Sequence, residues 1–263
     1  MPLRTVVVTR YVTPLREGGS VPAIVEADDD GMYVLKFRGA GQGPKALVAE
    51  IIAGEIGRAA GLPVPEIVLI ELDPDLARTE PDPELSKPLE ESAGLNLGLD
   101  FLPGSIAFDP VVGPAPTAGL ASHIVLFDAF VTNVDRTPRN PNLLSWHSRL
   151  WLIDHGACLY FHHGWSAATA LEGHLDPFSE VRHHVLLPWA TKLDEALEHL
   201  QAVLTEPVIE RVVRELPADW LGADHEFPDE DSRRRAYLAW LSARMTAMTH
   251  VLEEAKRGRA QLL

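Results

Sequence analysis

Asp135, Asn140 and Asp154 are the residues whose types and spacing could do chemistry together. They lie in the segment NVDRTPRNPNLLSWHSRLWLIDHG, residues 133–156. Transfer of a phosphoryl group from a nucleotide needs one carboxylate to orient the attacking hydroxyl. It also needs an amide oxygen and a second carboxylate to hold magnesium. Asp135 stands five residues before Asn140, and Asp154 closes an apolar run that ends in His155-Gly156. Magnesium favours hard oxygen ligands and keeps several waters, so one Asn and one Asp plus phosphate oxygens suffice. Taken singly, Asp135 and Asn140 read as turn or cap residues and Asp154 as the end of a strand. Their order and context point to nucleotide phosphate chemistry.

Positioning these groups falls to a hairpin. Residues 142–145 and 149–153 are short apolar runs, and Trp146-His147-Ser148 is the polar break between them. Two strands joined this way fold the chain back on itself. Asn140 precedes the first and Asp154 follows the second, so both reach the same end. Asp135 sits on a loop rich in turn formers, including Pro138 and Pro141. Catalytic groups concentrate on loops held by a rigid scaffold.

A transferred phosphate also needs positive charge and backbone N–H groups around its oxygens. Lys36 lies in the strand-like VLKF, where apolar neighbours would cover its stem. A buried lysine needs a carboxylate partner. Glu50 on the next helix is the candidate, with Glu55 second. The alternative is that Lys36 projects to solvent from a sheet face. Gly18-Gly19-Ser20 falls between two strands and could bring N–H groups to a phosphate, or could be an ordinary turn. Gly39-Ala40-Gly41-Gln42-Gly43 follows Lys36 and lacks the Gly-Lys-Ser/Thr ending of a P-loop. It reads mainly as a link into the helix.

The rest of the sequence bounds the answer. The chain has 263 residues, 46% hydrophobic and 23% charged, with a formal net charge of -15. That balance suits a globular protein and argues against general binding of nucleic acid or an anionic membrane. The single cysteine, Cys158, excludes an internal disulfide and suits a reducing compartment. No apolar run is long enough to span a bilayer, and the N-terminal one is too short for a signal peptide. A cytoplasmic protein is expected. The histidines show no H-E-x-x-H spacing, no serine has a G-x-S-x-G context, and Cys158 reads as a packed thiol. Trp146 and Trp151 are expected in the core.

Strands are expected at residues 5–8, 23–26, 32–37 and 66–72, and a helix at 45–60. Helices follow near 120–131, 191–204, 207–215 and 231–256. The expected fold is α+β and bilobal. Residues 1–98 form a β-rich N-terminal lobe that binds nucleotide, and residues 99–263 form an α-rich catalytic lobe.

Five pieces of the chain resemble the HipA-like kinases, within a wider likeness to phosphatidylinositol kinases and the protein-kinase fold. They are VLKF with Lys36, AEIIAGEIGRAAGLPVPE with Glu50, LDFLPG with Asp100, NVDRTPRN with Asp135 and Asn140, and LIDHG with Asp154. The likeness covers about residues 15–160. It implies a protein-kinase-like fold with ATP and Mg2+ as cofactors. It implies Lys36 on the α- and β-phosphates, Asp135 as base, and Asn140 and Asp154 on the metal. Asp100, Phe101 and Leu102 would belong to a hinge that receives adenine through backbone groups. Asn133 stands where a protein kinase has the His of H-R-D, and His155 stands where it has the Phe of D-F-G. The expected activity is transfer to a protein Ser/Thr hydroxyl. A nucleotide-binding pseudokinase and a small-molecule kinase are the competing readings.

Overall fold

The computed structural model describes residues 2–15, 22–41, 43–75, 89–222 and 226–262. Gly18, Gly19 and Ser20 lie outside them. The chain divides into two compact units, Met1–Val48 with Pro65–Pro103, and Ala49–Val64 with Gly104–Leu263.

The first unit is built from alternating strands. β1 (Thr5–Pro14), β2 (Ala23–Ala27), β3 (Met32–Lys36), β4 (Ile67–Leu72) and β5 (Gly94–Asp100) close a barrel in the order β1-β2-β3-β5-β4. Neighbours pair antiparallel except β1 and β4, which run parallel. Period-two alternation turns Val6, Val8, Tyr33 and Leu35 inward, where they meet Val25, Val68 and Ile70. Lys36 therefore leaves β3 on the face opposite Tyr33 and Leu35, and it is half-buried. The Asp28–Gly31 turn joins β2 to β3, with Asp30 left-handed at φ 61°. Asp29 accepts from the Tyr33 hydroxyl at 2.7 Å and pairs with Arg4 at 2.8 Å, which fixes this turn against the barrel.

α1 (Pro44–Ala59) contributes to both units. Among its later residues Glu50, Ile51, Ile52 and Ile56 are fully buried. Gly61, at φ 78°, ends it as the sequence leads one to expect.

The second unit is mostly helical. β6 (Ile106–Ala107), β7 (Leu143–Trp146) and β8 (Arg149–Leu152) form a small antiparallel sheet. α2 (Ala118–Phe130) begins at Thr117, whose hydroxyl accepts from Leu120 N at 3.3 Å. Its residues from Ile124 to Phe130 are all buried. Residues 160–189 form 3-10 turns, followed by α3 (Leu193–Val203), α4 (Glu206–Arg214), α5 (Ala218–Leu221) and the long α6 (Glu230–Ala260). α6 packs on α2, α3 and α4. Its Arg244 is buried, and it donates to the main-chain carbonyls of Ala129 at 2.9 Å, His174 at 3.0 Å and Asp176. Burial pushes this guanidinium down to about 10, against the opposing pull of Asp176 and Tyr160. Among the described residues no helix is long and apolar enough to cross a membrane.

The hairpin differs in detail from the sequence reading. Pairing extends to Trp146, opposite Arg149, so the turn is only His147-Ser148, at φ 48° and φ 60°. Two consecutive positive φ values are what a two-residue hairpin turn needs to match strand twist. Trp146 and Trp151 are half-buried and pack edge to face, centroids 5.6 Å apart, so they are not in the core.

Candidate active site

α2 delivers the chain to the candidate catalytic loop. Its last carbonyls are closed by Val131 N to Phe127 O at 3.0 Å and by Asn133 N to Asp128 O at 2.8 Å. Thr132, between them, is left-handed at φ 53° and buried, an unusual state for a β-branched residue. Asn142 (φ 47°), Asp154 (φ 56°) and Leu159 (φ 53°) share this state in the segments that follow. Strained backbone of this kind gathers at functional sites.

Asp135 is held from several sides. Its N–H donates to Asn133 Oδ1 at 3.0 Å. Its carboxylate Oδ2 accepts from Asn140 Nδ2 at 2.7 Å and from Asn142 Nδ2 at 3.2 Å. Thr137 and Asn140 close the loop between them through paired main-chain bonds of 3.1 Å. The structure thus brings Asp135 and Asn140 together. Asp154 follows Ile153, whose N–H donates to Asn142 O at 3.1 Å, so the chain beyond β8 returns beside the chain before β7.

Beneath the loop lies a buried polar network. Asp128 of α2 accepts from Arg136 Nε at 2.6 Å, His184 Nε2 at 2.9 Å and Asn133 Nδ2 at 2.8 Å. Burial by itself would push the Asp128 carboxyl up. The Arg136 charge and the His184 hydrogen bond outweigh it and hold the group below the usual carboxylate range. Arg136 also donates through Nη1 to the carbonyls of Asn142 and, at 3.4 Å, Ile153. One guanidinium therefore ties α2 to the chain entering the hairpin and to the chain leaving it, at its open end. Leu186 N donates to His184 Nδ1 at 3.0 Å, which requires an unprotonated Nδ1 and leaves Nε2–H for Asp128. Burial pushes His184 down against the pull of Asp128, and the ring is neutral.

Glu50 is fully buried and accepts the His155 N–H at Oε2, 3.0 Å away. The His155 ring packs edge-on to Phe127, and its Nδ1 lies 3.4 Å from Glu50 Oε1. Cys158 is buried, and burial pushes its thiol well up, which removes it as a nucleophile.

Asp100 is exposed, and partial burial of its carboxyl, reinforced by Glu66, pushes the group up. The Asp100 N–H is used by Glu66 O at 2.8 Å and that of Phe101 by Met32 O at 2.9 Å. Leu102 is buried, and among the described residues its N–H has no acceptor.

Among the described residues no cluster of three or more His, Cys, Asp or Glu could hold a metal. Asn140 and Asp154 supply oxygen, the donor type magnesium takes, and phosphate oxygens would complete such a set. Sequence reasoning missed Asp128, Asn142 and His184. A lone Asp inside the apolar LFDAFV and the second Asn of NPN were the available signals. Nothing in the sequence singles out His184 among eleven histidines.

The fold is that of a protein-kinase-like enzyme. A Helicobacter pylori proinflammatory kinase, CtkA, is similar over 99% of both chains, with a TM-score of 0.61 at 12% identity. A Golgi casein kinase with Mn/ADP bound is similar over 98% of this chain and 75% of its own, with a TM-score of 0.51 at 13% identity. A second structure of the Golgi casein kinase gives a TM-score of 0.51 at 14% identity over the same shares. No curated protein matches the chain. The family model for HipA-like kinases matches residues 8–247, and the chain belongs to that family and is a kinase.

Proposed function

We propose that this chain is an ATP- and Mg2+-dependent phosphotransferase acting on serine or threonine hydroxyls of a protein. The observation that carries the reading is the Asp135 carboxylate, one oxygen of which takes two amide donors, from Asn140 and Asn142. Its second oxygen is then the one to accept the proton of an acceptor hydroxyl. As that O–H bond breaks, the acceptor oxygen bonds to the γ-phosphorus, the bridging P–O bond breaks, and ADP leaves.

Asn140 gives its amide N–H to Asp135, so its oxygen is the atom available to a cation, together with the Asp154 carboxylate. Bound there, the divalent ion would neutralise charge on the phosphate oxygens. Lys36 is assigned to the α- and β-phosphates. Glu50 is assigned to nucleotide binding on the sequence alone, and it accepts the His155 main-chain N–H. Gly18, Gly19 and Ser20 are assigned to the phosphates on the sequence alone. In the hinge Asp100–Leu102 the Leu102 N–H is assigned to adenine, because Asp100 and Phe101 already spend theirs and Pro103 has none. A protein acceptor is favoured by the likeness to a casein kinase, since casein is a protein.

The test is Mn2+ binding followed by electron paramagnetic resonance in the presence of ATP. Wild type is expected to hold the ion in an ATP-dependent way, and Asp154→Ala to lose that binding. Equal ATP-dependent binding by both would remove Asp154 from the metal site.

A further inference from the structure

Asn142 joins the candidate base to the strand that leads into Asp154. Its side-chain Nδ2 donates to Asp135 Oδ2 at 3.2 Å. Its main-chain oxygen accepts from Ile153 N at 3.1 Å and from the Arg136 guanidinium. It is buried, with 9% of its surface exposed, while Asn140 is exposed. It is also left-handed, at φ 47°, a state that asparagine adopts far more readily than most residues.

These features go beyond a turn. A turn asparagine in the left-handed state bonds its own neighbouring backbone. Here the amide crosses seven residues to a carboxylate. Asp135 Oδ2 already has a donor in Asn140, but that residue's oxygen is assigned to a metal, and its side chain is exposed to competing water. A carboxylate held by one solvent-exposed amide can rotate and exchange its two oxygens. A second, buried amide on the same oxygen prevents that exchange.

We infer that Asn142 is a positioning residue for phosphoryl transfer, whose buried amide fixes which oxygen of Asp135 faces the acceptor hydroxyl while its backbone locks that base to the Asp154 strand. The inference rests on the reading of Asp135 as the base. Asn142 touches neither nucleotide nor acceptor in this scheme, so its effect falls on turnover and not on nucleotide binding.

The experiment is steady-state kinetics of Asn142→Gly and Asn142→Asp, with Asp135→Asn alongside. Glycine permits the left-handed backbone and removes the amide together with its Cβ. Aspartate keeps the shape and replaces the donor with an acceptor. Both are expected to lower kcat by about 100-fold while the KM for ATP stays within about twofold of wild type. Melting temperatures measured on the same samples exclude unfolding as the cause. Wild-type kcat in both Asn142 variants, with Asp135→Asn inactive, would overturn the role of Asn142 and leave the base intact. Loss of kcat accompanied by an equal rise in KM and a fall in melting temperature would also overturn it, by showing a structural role only. Full turnover by Asp135→Asn would instead remove the base on which the inference stands.

Discussion

Asn140 donates its side-chain amide to the Asp135 carboxylate at 2.7 Å. That one bond orients both groups: it occupies Oδ2 of the acid and leaves Oδ1 of the amide outside it, where the proposed cation would bind. Asn140→Ala is therefore expected to raise the Mg2+ concentration needed for half-maximal activity by about 10- to 100-fold. Magnesium titrations at saturating ATP would measure it. An unchanged magnesium requirement would show that Asn140 serves Asp135 alone.

Arg136 and Asp128 are both fully buried and joined at 2.6 Å. Removing one partner leaves an uncompensated charge in the core, a loss of about 3–5 kcal/mol. Arg136→Ala is expected to lose that much by urea unfolding. Arg136→Lys should recover only part of it, because an ammonium cannot reach Asp128 and two carbonyls at once. A loss below about 1 kcal/mol, the size expected of a surface pair, would contradict the network.

The same network sets an acid limit. His184 is held below its ordinary value of 6.5, and Asp128 below 3.8. Both groups bind fewer protons folded than unfolded, so each contributes stability that grows with pH. The His184 share is complete above pH 6.5 and is lost as pH falls below it, and the Asp128 share follows below pH 3.8. The stability of wild type measured by urea unfolding should therefore fall as the pH is taken from 6.5 downward. His184→Gln should weaken less over that interval. Equal pH slopes for the two proteins would contradict a buried neutral imidazole.

Much of the architecture was legible because it follows local periodicity. β2 and β3, α1 with its glycine stop, the hairpin and the long C-terminal helix all carry strong local patterns. The Asp135–Asn140 spacing was legible too, as a short-range motif on a loop, but the hydrogen bond between the two side chains was not. Asn142, Asp128 and His184 were not, because their roles depend on contacts between distant segments. His184 reaches Asp128 across 56 positions. A buried acid in an apolar helix announces a need for partners but does not say which residues meet it. The hairpin turn was read one residue too long because Trp146 looks like a polar break beside His147, whereas it pairs with Arg149.

That turn offers a separate test. Ser148 sits at φ 60°, where a side chain is strained and glycine is not. Ser148→Gly is expected to stabilise the protein by about 0.5–1 kcal/mol, the turn then carrying the glycine that such turns favour. Thermal melts would show it as a small rise in midpoint. A fall would mean that the Ser148 side chain holds the turn through contacts of its own.

The central claim is that Asp135 takes the proton of the acceptor hydroxyl. The most direct measurement is phosphoryl transfer from γ-labelled ATP by Asp135→Asn, with ATP affinity measured on the same sample. The account predicts undiminished ATP binding and a rate lower by about 100- to 10,000-fold. Transfer at the wild-type rate in that variant would contradict it.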